Sequence, residues 1–378
     1  MRRRLTLHLG SWGQPRRYSE RPTSRSSAMT EFGCTNFPES PSAVRNTFHL
    51  LAPEPQLWTL DDDALLPWPE CRYFRDMLVA FDRQNPDLGL RFFLTDRIRR
   101  GHPLAGSDVV VICVKDELSR MPGYAHDVRL VGKTYGVRRP PYLLTGVKPS
   151  CWALAVGLAQ ESIVQVRRAP SLVASAIRTV RVQRRPHVID LPLGTYLLHD
   201  LPFVPFSERS LDVSYAGSRL NSLAQSRRRT PTRKLRSRRE LERSIQAVRI
   251  ARPDIKLAVH IIDLFENAED HSGLYSQLLS GSRITLCPRG GSLETYRFFE
   301  ALRCGTVPIC ERLPDRSFYS GSPAVFIRRW ADLPAVLDCL LADPVALQAR
   351  HEAVVAWWEE RCSPAAAARE LAVALRGQ

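Results

Sequence analysis

Residues 284–310 read ITLCPRGGSLETYRFFEALRCGTVPIC. A β-rich run ends at Cys287, a Pro-Arg-Gly-Gly turn follows, a helical pattern fills Ser292–Cys304, and a second β-rich run begins after Gly305. Strand, glycine turn, helix and strand make the unit from which parallel sheets are wound. The turn also sets Gly290 and Gly291 directly before a helix N-terminus. Unpaired amides and the helix dipole favour an anion there, and glycines without Cβ let it approach the backbone.

On a helical wheel over Ser292–Cys304, Thr295, Phe298, Phe299 and Leu302 share a core-facing arc, and Glu294, Arg297, Glu300 and Ala301 share the other. The polar arc starts at the anion-binding end and offers a cation one turn before a carboxylate. That order suits a nucleoside diphosphate lying along the helix, with Arg297 on the diphosphate and Glu300 accepting from the ribose hydroxyls. The same residues also fit an ordinary surface i,i+3 ion pair, and the glycines a simple chain turn.

Outward from this segment, short β-rich runs alternate with helical patterns, which predicts parallel strands joined by helical crossovers. The first half offers strands at Phe48–Leu51, Leu90–Thr95, Asp108–Val114 and His187–Leu191, and helices at Cys71–Arg83, Ser150–Glu161 and Ser171–Arg184. A Pro-rich stretch, Pro186–Phe206, breaks the pattern and marks a boundary. Beyond it come strands at Leu211–Ala216, Ile255–Ile262, Arg283–Cys287, Val307–Cys310 and Ala324–Ile327, with helices at Arg233–Ile250 and Ser272–Leu279. Asp332 with Pro334, Asp343 with Pro344 and Ser363 with Pro364 read as the starts of three closing helices. The expectation is an α/β chain with a basic, disordered tail over residues 1–40, a Rossmann-like unit over 41–195, and a second over 196–378 that ends in helices.

The formal net charge of +15 over 378 residues suggests nucleic acid until it is located. Residues 1–28 carry seven Arg and one Glu, residues 219–239 carry eight Arg and one Lys with no acid, and the remainder is neutral. A nucleic-acid-binding protein using the 219–239 cluster is an alternative, although two short stretches are not a broad basic face. The first 28 residues fit either an organelle-targeting segment or a leader to translation from Met29, and the second reading is preferred. The nine cysteines form no Cys-x-x-Cys pair and read as buried free thiols of a reducing compartment. No apolar run has the roughly 20 residues a membrane span needs. A cytoplasmic protein, peripheral to a membrane at most, is expected.

The segment also resembles the C-terminal motif of the exostosin family of glycosyltransferases. The matching residues are Cys287, Pro288, Arg289, Gly290, Glu294, Thr295, Arg297, Glu300, Ala301, Leu302, Gly305, Pro308 and Ile309. Asp212–Ser218, DVSYAGS, resembles the strand that opens the family's donor domain, and clear resemblance spans roughly residues 205–345.

The resemblance implies two facing Rossmann-like, doubly wound domains of the GT-B type. It implies a nucleoside-diphosphate sugar donor held by the second domain and a glycan or other acceptor by the first, with no metal ion or other cofactor. Donor-site candidates are Gly217, Arg219, Arg289, Gly290, Gly291, Ser292, Thr295, Arg297 and Glu300. An inverting transfer needs a general base at the C-terminal end of a first-domain strand, for which Asp116 and Glu117 are candidates, each also an ordinary loop charge. Asp61-Asp62-Asp63 holds the Asp-x-Asp spacing of metal-dependent glycosyltransferases but follows no convincing buried strand, and reads as a solvated loop. Arg219–Arg239 could also touch an anionic acceptor or lipid surface. A non-catalytic carbohydrate-binding member of the same fold is a further alternative.

Overall fold

The computed structural model describes residues 45–51, 54–61, 68–99, 104–137, 151–196, 202–220, 233–264 and 271–377, with the backbone alone at 151–158, 160, 161, 219, 220 and 264. Its strands fall into two sheets. The first holds β1 (Thr47–Leu51), β2 (Pro55–Leu57), β3 (Arg91–Thr95), β4 (Gly106–Cys113), β5 (Val128–Lys133) and β6 (Val188–Asp190) in the order β2-β1-β3-β4-β5-β6, parallel except for β2. Val109–Cys113 is buried throughout, the signature of a strand covered on both faces. Helix α1 (Cys71–Gln84) packs Tyr73, Phe74, Met77, Leu78 and Phe81 inward at helical spacing.

Three features of this half depart from the sequence reading: the short antiparallel β2 was not expected, nor was β5, and two expected helices are one. β5 was not among the expected strands, because Arg129 and Lys133 interrupt its apolar run. Burial of Lys133 is offset by an ion pair with Asp116 at 3.0 Å. The expected helices 150–161 and 171–184 are one helix, α2 (Cys151–Val182), which runs on through Pro170. A proline lacks one helical hydrogen bond but does not oblige the chain to turn.

The second sheet holds β7 (Leu211–Leu220), β8 (Leu257–Leu264), β9 (Ser282–Cys287), β10 (Val307–Glu311) and β11 (Val325–Ile327), all parallel, in the order β11-β10-β9-β7-β8. Helices α3 (Arg233–Ala251), α4 (Ser272–Ser280) and α5 (Tyr296–Arg303) connect them. The chain leaves β7 for one edge and returns to its other side as β9, so the winding reverses between those two strands. In open α/β sheets that reversal opens a crevice beyond the strand C-termini where ligands bind.

Three closing helices follow: α6 (Leu333–Leu341), α7 (Pro344–Trp357) and α8 (Pro364–Arg376). Asp343 accepts from the Ala346 amide at 2.9 Å and Ser363 from the Ala366 amide at 3.2 Å, the caps their sequences announce. The last helix returns to the first half, where α8 packs on α1 and the Tyr73 hydroxyl donates to the Cys362 carbonyl at 2.7 Å. The expected two-sheet α/β architecture with terminal helices is therefore what the chain forms, with its final helix bound to the earlier sheet. Among the described residues all cysteines are free; five are buried, but Cys339 is exposed, against the expectation of burial.

Candidate functional site

A cavity of about 370 Å³ lies beyond the C-terminal ends of β7 and β9. Gly217 and Ser218 lie near the C-terminal end of β7, Gly290 and Gly291 in the turn after β9, Thr295 at the N-cap of α5, and Arg297 and Glu300 on α5 itself. Glu117 and Tyr135 reach it from the first half. Both glycines sit directly against charged side-chain ends that a Cβ would displace. A Cβ on Gly217 would stand 2.8 Å from an Arg297 Nη, and one on Gly291 would collide with the Glu117 carboxylate.

Three cations converge on the cavity. Helix α3 buries Lys234, Ser237, Arg238, Leu241, Ile245 and Val248 on one stripe, so its inward face is apolar along most of its length and cationic at its first turns. Arg238 Nη1 donates to Ser218 Oγ at 3.2 Å, and Lys234 Nζ lies 3.5 Å from the same oxygen. Burial, then the nearby Arg238 and Arg297, bring the Lys234 ammonium down to about 6, opposed by Glu117. The Arg297 guanidinium lies over the rings of Tyr215 and Tyr275, at 6.0 and 5.9 Å. Among the described residues, Arg238 Nε and Arg297 Nε are buried without a hydrogen-bond partner. Buried cationic donors in that state suit an incoming anion.

The carboxylates divide sharply. Glu300 is buried rather than on a solvated face: its Oε1 accepts from the Tyr196 amide at 2.9 Å and its Oε2 from the Tyr275 hydroxyl. Glu300 also lines the cavity. Glu294 was expected on the polar arc with Arg297, but α5 begins only at Tyr296, after an extended Thr295. The Glu294 carboxylate is drawn instead to Arg316 Nη2 at 3.0 Å and to the Tyr319 hydroxyl at 3.2 Å. Desolvation raises its pKa to about 7, with Arg316 working the other way.

Asp116, a candidate base, does not line the cavity. It is buried outside the cavity lining, bonded to Lys133 at 3.0 Å and to the Arg120 side chain and amide at 3.0 and 2.7 Å. Burial would raise its pKa, but Lys133 and Arg120 hold it below the ordinary carboxylate value. A group so engaged positions its own loop and cannot reach a substrate, whereas its neighbour Glu117 lines the cavity.

Arg289 and Ser292, both expected at the donor, are buried outside the lining. The Arg289 amide donates to Glu311 at 2.9 Å, and Ser292 Oγ accepts from the Glu294 amide at 3.3 Å. The side chain of Arg219 lies outside the described residues, as do Asp62 and Asp63, while Asp61 is exposed. Sequence reasoning passed over Lys234 and Arg238 as part of a solvated basic run. Carrying the Leu241, Ile245, Val248 stripe back by threes and fours would have found them. It also passed over His260, whose Nε2 is buried without a partner among the described residues and whose ring lies 4.9 Å from that of His271 on the cavity wall.

A family model described as the RXYLT1 C-terminal domain matches residues 233–362, about a third of the chain. That stretch contains Lys234, Arg238, the glycine turn and α5. The chain is 34% identical over 86 residues to Ribitol-5-phosphate xylosyltransferase 1 of Danio rerio, covering 19% of this chain and 20% of that protein. It is 35% identical over 80 residues to the Homo sapiens protein of the same name, covering 17% and 18%. The match thus spans about a fifth of the length of these relatives. In shape the chain is similar to WaaG, a glycosyltransferase involved in lipopolysaccharide biosynthesis. The TM-score is 0.40 and the identity 13%, over 83% of this chain and 98% of that one, a likeness too loose to bear on the site.

Proposed function

We propose that this chain is a glycosyltransferase that binds a nucleoside-diphosphate sugar in the switch-point cavity and passes the sugar to an acceptor hydroxyl. The observation that carries the reading is the convergence of Lys234, Arg238 and Arg297 on the glycine turn at the start of α5. A diphosphate would meet three cations and the turn's amides there, and the same groups would stabilise it as a leaving group. On this reading Glu300 accepts from the ribose hydroxyls. The resemblance of Cys287–Ile309 to the exostosin motif supports this reading, as does the similarity of residues 233–362 to a xylosyltransferase family, and a nucleoside-diphosphate xylose is the first donor to try. The two sheets flanking one cavity are what a GT-B enzyme requires.

Glu117 enters from the first half against Gly291, near enough to Lys234 to favour its ammonium. In an inverting transfer it would take the acceptor hydroxyl's proton as that oxygen attacks the anomeric carbon. The nucleic-acid reading loses ground, because Lys234 and Arg238 turn inward from the cluster it needs.

Calorimetric titration with a nucleoside diphosphate and with inorganic pyrophosphate tests the assignment. Arg297→Ala is expected to weaken both by about 1.5–3 kcal/mol, and Glu300→Gln to weaken the nucleotide while sparing pyrophosphate. Glu117→Gln should keep donor affinity and lose turnover. Unchanged nucleotide affinity in both folded donor-site variants would reject the site.

A further inference from the structure

Helix α2 is attached to the protein by its polar side. Arg168 donates to the Val137 and Ser119 carbonyls at 2.8 and 3.3 Å, Ser171 Oγ accepts from the Met121 amide at 3.2 Å, and Ser175 Oγ lies 3.0 Å from His126 Nε2. Arg178 binds Asp127, with Nη1 to Oδ2 at 2.8 Å. These four positions are spaced by threes and fours and form one face.

The opposite face is aliphatic and open. Ile163, Val166, Val173, Ile177 and Val180 are 54, 71, 56, 51 and 78% exposed. At helical periodicity they fall, with Pro170, within an arc of roughly 100°. Water selects the reverse arrangement for a surface helix, apolar inward and polar outward. An apolar stripe held outward by four polar anchors has no partner among the described residues.

Charge identifies what covers it. Residues 162–185 contain six Arg and no Asp or Glu, and with Arg168 and Arg178 used as anchors, Arg167, Arg181, Arg184 and Arg185 are left exposed. Arg167 and Arg181 lie along one margin of the stripe. Gly377 lines the same hollow as Arg184 and Arg185, which brings the exposed Arg376 to that end. Two copies packed stripe to stripe would bring these cationic margins together with no acid to offset them. A bilayer with anionic headgroups meets both demands: acyl chains accept Val and Ile, and long Arg side chains reach back to the phosphates.

We propose that α2 docks this protein onto an anionic lipid surface, lying in the interface with its Ile163–Val180 stripe in the acyl region. No described helix is long and apolar enough to cross a membrane, so the helix lies on it. The lipid contact then lies on α2 rather than at 219–239, and it does not depend on donor binding.

The test is flotation of the full chain with phosphatidylcholine vesicles, with and without phosphatidylserine. Binding is expected with phosphatidylserine and should fall about tenfold or more without it or in high salt. Val173→Ser/Ile177→Ser should lose about tenfold with the thermal melt and nucleotide affinity unchanged, since both side chains already face water. Arg167→Gln/Arg181→Gln should bind more weakly with a shallower salt dependence. Three results overturn the proposal: no binding to phosphatidylserine vesicles, equal binding by the serine variant, or a sedimenting dimer that the serine variant dissolves.

Discussion

Lys234 is the residue at which the site's electrostatics are most exposed to measurement. Burial and its cationic neighbours bring it to about 6, so at neutral pH the ligand-free site holds mostly the amine. Between that value and the ordinary lysine value the unfolded chain binds a proton the folded chain does not, so ligand-free stability rises with pH across this window. A bound diphosphate reverses the balance, because the anion favours the ammonium. Nucleotide binding at pH 7.5 should therefore take up a proton, and affinity should fall as pH rises from about 6, by up to about tenfold per unit. Calorimetry in buffers of different ionisation enthalpy reads the proton directly. Lys234→Met should bind more weakly with no uptake, and equal uptake in that variant would assign the proton elsewhere. Little of this was legible in the sequence, where Lys234 is one cation in a basic run. Gly290, Gly291, Arg297 and Glu300 were legible, because a glycine turn before a helix is a local pattern.

At the scale of elements, α3 and α5 show where local reading succeeds and where it stops. The apolar periodicity of α3 placed the helix within a residue of its observed end, yet the same stripe ends in Lys234, Ser237 and Arg238, which composition alone suggests are solvated. The turn before α5 is longer than the wheel assumed because Glu294 bonds to Arg316 and Tyr319, partners far along the chain that no local period reports. Buried cations retained on a helix stripe also make a testable statement about stability. Arg238 is 4% exposed and has Ser218 as its hydrogen-bond partner. A buried cation without a carboxylate partner carries a desolvation cost that an apolar side chain of similar size does not. Arg238→Met should thus raise the unfolding free energy in urea while cutting nucleoside-diphosphate affinity by about tenfold or more. A variant that is less stable and binds nucleotide normally would make Arg238 a structural residue and remove it from the site.

At the scale of the whole molecule, the alternation of strands and helices was enough to foresee two sheets, but not what ties them together. Arg316, in the loop after β10, donates Nη2 to the Tyr135 carbonyl at 2.5 Å and to Glu294 at 3.0 Å, and its Nη1 lies 3.2 Å from Asp190. Tyr135 and Asp190 belong to the first half and Glu294 to the turn beside the cavity, so one side chain joins both sheets at the site. Gly136 gives it room: its φ is +49°, and a Cβ there would collide with Asp190 and the Arg316 guanidinium. Removing one partner of a buried pair leaves the other charge uncompensated, so Arg316→Ala should cost about 3–5 kcal/mol at pH 8. Glu294 has a raised pKa, so its contribution to stability is present below the ordinary carboxylate value and is lost as pH rises through the folded value of about 7. Without Arg316 that folded value moves higher still. At pH 5 Glu294 is protonated with or without its partner, and the deficit shrinks to the lost hydrogen bonds. Urea denaturation of the variant and the parent at pH 5 and pH 8 should show a larger deficit at pH 8, and Arg316→Ala/Glu294→Gln should remove that difference. Equal deficits at both pH values would mean that the Arg316–Glu294 pair does not hold the halves together through charge.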